Sequence, residues 1–357
     1  MDHSLRRKRL AARLSELGLD ALLVSHLPNV RYLTGFTGSN GQVVVAAEGS
    51  VFLTDGRYTE QARHEVPDVD RMTYLEGFER TVGAAIGGLG VRTLGFEAHG
   101  VTYGAWAKLA ERLEGIDLVP TDDEVEQLRW VKDSDELRML EHAQEATDQA
   151  FEAILERLAR GMSERQVALE LELAMRRAGA DGLSFETIVA FGENAAEPHH
   201  EPNHRALDEG DVVKLDFGAL WQGYHADMTR TIAFGKPPAE LRAIHEIVRD
   251  AQQAGIDAAR SGVSGAAVDA ASRGVIEDAG YGDFFTHGLG HGVGLEIHEG
   301  PRLMRGGEQV LPAGTVVTVE PGIYVPGLGG VRIEDMVEVA EDGCRTLPTT
   351  TKELIEL

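Results

Sequence analysis

Two aspartates, Asp216 and Asp227, flank a stretch that the residue pattern predicts to be strand, turn, strand. Glu209-Gly210-Asp211 is a turn signal ahead of it, Val212, Val213, Leu215 and Phe217 are β-formers, and Gly223 is a turn residue. A hairpin centred on Trp221 and Gln222 sets Asp216 and Asp227 equidistant from the turn and opposite each other, with Cβ atoms about 5 Å apart on one face. Carboxylates so placed repel, and a shared proton or a cation offsets the repulsion. Only a cation calls for more ligands, and the chain has them downstream. His291 lies in Thr286-His287-Gly288-Leu289-Gly290-His291-Gly292-Val293-Gly294, Glu320 ends the β-branched run Val316-Val317-Thr318-Val319, and Glu334 follows Arg332-Ile333. Asp216, Asp227, His291, Glu320 and Glu334 amount to four carboxylates and one imidazole. Four carboxylates neutralise two divalent cations, and cations paired about 3.5–4 Å apart carry out hydrolysis. Oxygen donors with one histidine suit manganese, cobalt or zinc. The glycine-rich spacer around His291 disfavours a helix, which argues against a His-Glu-x-x-His zinc site. With no lysine and no helix-opening Ser or Thr after it, the run is also a poor phosphate cradle.

These residues need a framework of strands covered by helices. After a linker at Pro120-Thr121-Asp122-Asp123-Glu124, Asp133-Ser134-Asp135-Glu136 has the pattern of a capping box and opens a helix expected to reach about Ala159. Gly161 stops it, and Ser163-Glu164-Arg165-Gln166 opens another by the same device. Helices are expected around 134–160, 163–178, 238–260 and 265–279, with strands around 185–191, 211–220, 223–234 and 315–341. Ahead of the linker, helical and strand patterns alternate: a helix over 4–17, a buried strand at Ala21-Leu22-Leu23-Val24, a hairpin through Val43–Ala46 and Val51–Leu53, and further short elements to about 119. That part is a small α/β unit, and the part after it is α+β. The expected division is 1–122 and 123–357.

Composition narrows the partners. The 357 residues suit two domains with ample core, and the formal charge of −25 repels phosphate backbones and anionic lipid, so neither nucleic acid nor a membrane is an expected partner. A single cysteine, Cys344, excludes an intrachain disulfide and fits a reducing cytoplasm. The basic start Leu5-Arg6-Arg7-Lys8-Arg9-Leu10 runs into an amphipathic helix rather than a signal core, and no run approaches the roughly 20 apolar residues of a membrane span.

The order Asp216, Asp227, His287-Gly-Leu-Gly-His291, Ile297-His298-Glu299, Glu320-Pro321-Gly322 and Arg332-Ile333-Glu334-Asp335 resembles the dinuclear "pita-bread" metallopeptidases, in particular Xaa-Pro dipeptidases (prolidases) and Xaa-Pro aminopeptidases. The resemblance implies an α+β pita-bread catalytic domain after a smaller creatinase-like α/β domain, whose loop at Asn29–Phe36 also resembles prolidases and creatinases and whose usual role is dimer contact. It implies a homodimer, two divalent ions per chain, and hydrolysis of the bond before proline. Glu320 is then both metal ligand and general base, His199 and His298 polarise the substrate, and Arg332 orients a ligand carboxylate or a polarising group. His200 is the fallback for His199. His287 belongs to the pocket. Arg302 is the candidate for gripping the free carboxylate of a dipeptide, as an arginine in this loop does in some prolidases. The expected substrate is an Xaa-Pro dipeptide, and the alternative is an aminopeptidase acting on longer peptides. A methionine aminopeptidase lacks the extra N-terminal domain, a creatinase-like amidinohydrolase has no need of the metal ligands, and a catalytically dead binding module has no reason to keep all five. Phe191 departs from the small or hydroxyl residue of many relatives and is expected to bear on pocket shape.

Overall fold

The computed structural model of the chain describes residues 1–75 and 77–357. It divides into two compact units, Met1–Arg129 and Trp130–Leu357.

The first unit is built on a six-stranded sheet in the order Asp70–Tyr74, Gly49–Asp55, Gly41–Ala46, Ala21–Val24, Thr93–Glu97, Asp117–Thr121. The hairpin pairs antiparallel, while Ala21–Val24 with Thr93–Glu97 and Thr93–Glu97 with Asp117–Thr121 run parallel through helical crossovers. All four residues of Ala21–Val24 are buried, as an apolar run flanked on both sides by sheet requires. One expectation changes here. Most of the stretch Asn29–Phe36, read above as a loop, lies in the helix Leu27–Thr34. Pro28 lies in its first turn, Gly35 caps its end in the left-handed region at φ 80°, and Val30, Tyr32 and Leu33 are buried.

The second unit has two hydrophobic cores. In one, the helices Ser134–Leu155 and Glu164–Arg177 pack on a sheet of Met228–Ala233, Val212–Phe217 and Ile188–Phe191. In the other, Ala239–Ala258 and Gly265–Asp278 pack on a five-stranded sheet of Glu299–Leu303, Gly290–Gly292, Val316–Val319, Asp335–Ala340 and Gly343–Thr346, together with the ribbon Gly322–Val325 and Gly329–Arg332. Both capping boxes form: Asp133 with Glu136, and Ser163 with Gln166. Phe191 is fully buried in the first core beside Val213 and Phe217. Its bulk fills the core and does not line the cavity described below, so it leaves the pocket's shape alone.

Candidate active site

The expected hairpin is shifted by one residue. Trp221 pairs with Tyr224 and Leu220 with His225, so the two-residue turn is Gln222-Gly223. Gln222 has φ 45° and Gly223 φ 78°, the positive values a type I′ turn demands. Asp216 therefore faces Thr229, not Asp227. At Gly218 the ribbon leaves one sheet for another, and a Cβ there would sit 1.8 Å from the Ala226 carbonyl oxygen. Asp227 falls in the break between Tyr224–His225 and Met228–Ala233. The two carboxylates come to one cavity through this kink rather than by direct cross-strand pairing.

That cavity has a volume of about 420 Å³, and every residue expected at the site lines it: Asp216, Asp227, His291, Glu320 and Glu334, with His199, His287, His298, Arg302 and Arg332. His200 does not. It is buried between Glu164 and Glu197, at 2.8 and 2.6 Å from their oxygens.

His291 is the middle residue of Gly290–Gly292, a strand with glycine on each side. A Cβ at Gly290 would lie 2.0 Å from the Thr318 carbonyl oxygen, and one at Gly292 2.1 Å from that of Gly300. The neighbouring backbones close in that tightly on the strand that carries the imidazole. His291 Nδ1–H donates to the Gly292 carbonyl at 3.0 Å, which leaves Nε2 with its lone pair toward the acids. Nε2 lies 3.6 Å from Asp227 Oδ2 and 3.4 Å from Glu320 Oε1. One donor atom each from Asp227, His291 and Glu334 falls within 4.8 Å of the others.

The electrostatics are those of a crowded anionic site. Burial, then the charges of Glu334, Asp216 and Glu320, push the Asp227 carboxyl well above its usual range. Burial raises Glu334 likewise, with Glu320 and Asp216 adding to it, and burial also raises Glu320. Burial holds the His291 imidazole down at about 3, hence neutral and able to ligate. Asp216 Oδ1 is buried and has no hydrogen-bond partner. An orphaned carboxylate oxygen among mutually repelling acids, next to a neutral imidazole, is a donor set that fits divalent cations.

Arg332 braces the set. Its guanidinium donates through Nη2 to Asp216 Oδ2, through Nε to Thr229 Oγ1 at 3.0 Å, and through Nη1 to the Tyr324 hydroxyl at 2.9 Å and the Pro198 carbonyl at 3.1 Å. Arg332 ends the strand Gly329–Arg332, and Glu334 lies beyond it in the connection to Asp335–Ala340, so strand alternation alone does not relate the two. Thr229 Oγ1 donates to Glu334 Oε2 at 2.6 Å, and Thr318 Oγ1 to Glu320 Oε1 at 3.2 Å. The Tyr324 hydroxyl is 2.8 Å from His287 Nε2, while His287 Nδ1–H donates to the Gly288 carbonyl at 2.7 Å. Burial raises Tyr324 to about 12 and, helped by Arg332, lowers His287 to about 4. A protonated phenol thus donates to a neutral imidazole.

His199 and His298 are exposed at the cavity rim, the latter packed edge-on to His291 with ring centroids 4.5 Å apart. Burial lowers the pKa of His298, with Arg302 adding to the effect. Arg302 is also exposed. It is a strand residue, paired with His291 in the ladder, rather than part of an open loop. Thr229 and Tyr324 were not anticipated. Each is two residues from a motif residue (Asp227 or Gly322) along extended chain, and that spacing was the available signal.

A creatinase/prolidase N-terminal domain matches residues 6–131, and metallopeptidase family M24 matches residues 138–341. The chain belongs to metallopeptidase family M24. It is 35% identical to the Xaa-Pro dipeptidase of Pyrococcus horikoshii over 98% of each chain. The solved Xaa-Pro dipeptidase of Bacillus anthracis is 40% identical with a TM-score of 0.97, each chain covered in full. The X-Pro aminopeptidase structure of Thermotoga maritima is 36% identical with a TM-score of 0.90, over 97% of this chain and 100% of that one. The pita-bread α+β fold with a creatinase-like domain ahead of it, the hydrolase class and a divalent-metal requirement follow from this membership.

Proposed function

We propose that this protein hydrolyses the bond before proline in Xaa-Pro dipeptides. The observation that carries this is the meeting of five ligand-type side chains with His199, His298 and an unburied arginine, Arg302, around one small cavity. Asp216, Asp227, His291, Glu320 and Glu334 would hold two divalent cations, of manganese, zinc or cobalt. Bound there, the cations supply Lewis acidity and lower the pKa of a water. Glu320 accepts the proton of the attacking water and delivers it to the proline nitrogen as the C–N bond breaks. His199 and His298 donate to the oxyanion as the carbonyl becomes tetrahedral; a preorganised donor of this kind contributes roughly 3–4 kcal/mol. The nitrogen of an Xaa-Pro bond carries no hydrogen, so recognition rests on the ring and on the free carboxylate. His287, held neutral by burial and Arg332, walls the site, and Arg302 pairs with the carboxylate in a planar bidentate contact.

Substrate length tests the reading. With metal loaded, kcat/KM is expected to be higher for Xaa-Pro dipeptides than for Xaa-Pro tripeptides. Arg302→Ala is expected to lower it about 10- to 100-fold for dipeptides, the worth of one charge-assisted contact, and much less for longer peptides. A wild-type enzyme preferring tripeptides would turn the assignment to an Xaa-Pro aminopeptidase, as in the Thermotoga maritima relative.

We also take the protein to be a cytoplasmic homodimer. The single cysteine and the creatinase/prolidase N-terminal domain support this. Among the described residues no helix is long and apolar enough to cross a membrane. Light scattering at micromolar concentration is expected to give twice the chain mass, and a monomer throughout would refute the dimer.

A further inference from the structure

His199 sits in a segment that has little regular structure to hold it. The chain leaves the strand Ile188–Phe191, makes the 3-10 turn Gly192–Ala196, and runs irregularly past Glu197, Pro198 and His199 to Asn203. Backbone groups in such a segment still need partners, and a side chain at a rim needs a fixed base. Two buried side chains meet both needs. Glu164, fully buried in the first turn of Glu164–Arg177, accepts from the Phe191 amide at 2.8 Å and Asn194 Nδ2 at 2.9 Å through one oxygen. Its other oxygen accepts from the Asn203 amide at 3.0 Å and sits 2.8 Å from His200 Nε2. One carboxylate thus ties both ends of the segment. From the other side comes Lys214, with no exposed surface. Its Nζ donates to the carbonyls of Ala195 at 3.2 Å, Glu197, and Pro198 at 3.4 Å.

Lys214 is an unusual choice for stability. A lysine amine is expensive to bury, and these partners are carbonyls rather than a carboxylate. What the arrangement achieves is registration. Lys214 and Asp216 are alternate residues of Val212–Phe217 and so share a face. The strand that carries Asp216 therefore also grips the carbonyl immediately before His199, and Arg332, which holds the Asp216 carboxylate, donates to that same Pro198 carbonyl.

We infer that Lys214, with Glu164 behind it, is a positioning residue that sets His199 against the ligand-bearing strand. The inference rests on the role given to His199 above. A double-mutant cycle on the metal-loaded enzyme tests it. Lys214→Met keeps chain length and loses the Nζ donor. Displacing a reacting-site group by about 1 Å can lower the rate about 100-fold, so Lys214→Met is expected to reduce kcat about 10- to 100-fold. In a His199→Ala background the same change should reduce it less than about 3-fold, because the residue being positioned is gone. Metal content by elemental analysis should be unchanged, and hydrogen exchange should quicken over residues 195–203. Equal losses in both backgrounds, or an unaltered kcat, would overturn the inference. An inert His199→Ala would instead strike the role of His199 itself. If Lys214→Met does not fold, Glu164→Gln enters the same cycle with the same expected non-additivity.

Discussion

Glu320 is asked to do two things, to hold a cation and to carry a proton, and its surroundings bear on both. It follows the last residue of Val316–Val319, takes one hydrogen bond from Thr318 at 3.2 Å, and lies 3.4 Å from His291 Nε2. Burial raises its pKa toward the range where a carboxylate exchanges protons near neutrality. Replacing it by glutamine keeps the shape and removes both the proton carrier and a charge. Glu320→Gln is expected to lower kcat by about 100- to 10,000-fold, the usual span for a lost general base, with circular dichroism and melting temperature close to wild type. Wild-type turnover in the folded variant would remove Glu320 from its role. Residues of this kind were legible because a carboxylate at the end of a β-branched run has few bland explanations. Thr229, Tyr324 and Lys214 were not. Their importance comes from what lies across the fold, Glu334, His287 and the Pro198 carbonyl, at sequence separations that no local pattern encodes.

Among the elements, the short strand Gly290–Gly292 is the most constrained. Glycines on both sides of His291 told against a helix, but the reason for them is steric and appears only with the neighbouring strands in place: the Thr318 and Gly300 carbonyls approach within 2.0 and 2.1 Å of where a Cβ would be. Gly290→Ala must push Thr318 away, and Thr318 is the residue that holds Glu320. Overpacking of this sort is worth about 1–3 kcal/mol of stability. Gly290→Ala is expected to lower the unfolding midpoint accordingly and to reduce metal retained through dialysis. Retention equal to wild type, with unchanged stability, would show that the strand has room to move. The hairpin gives the complementary lesson. Composition located the turn, yet Trp221-Gln222 and Gln222-Gly223 differ by one residue in position, and only the positive φ at Gln222 and Gly223 decides between them. That one-residue shift of the turn moves the partner of Asp216 by two, from Asp227 to Thr229. The helix Leu27–Thr34 was hidden because its apolar face is only two turns long, and Pro28 and Gly35, which resemble loop punctuation, are its start and stop.

At the scale of the molecule, the catalytic unit consists of two like assemblies, each a helix pair on a sheet with its own core. Self-similarity in the sequence does not display this likeness, because packing needs only apolar residues of suitable size at suitable positions. A buried titratable group also lies outside the cavity. His245, on Ala239–Ala258, is 2% exposed. Burial pulls its pKa from 6.5 to about 4, against a hydrogen bond to the Thr231 backbone; Arg249 and Arg242 push the same way as burial and Glu353 opposes them. The unfolded chain therefore binds a proton that the folded one refuses between about pH 6.5 and 4. Stability rises with pH wherever the unfolded state binds more protons, so this histidine withdraws stability as pH falls through that window. Between pH 7.5 and 5 the withdrawal is about 2 kcal/mol. Glutamine does not titrate and can still reach the Thr231 backbone. In paired urea titrations of the second unit's transition, His245→Gln is expected to lose about 2 kcal/mol less than wild type on going from pH 7.5 to 5. An identical acid loss in the two proteins would mean that His245 takes up its proton without unfolding, and that burial does not hold it neutral.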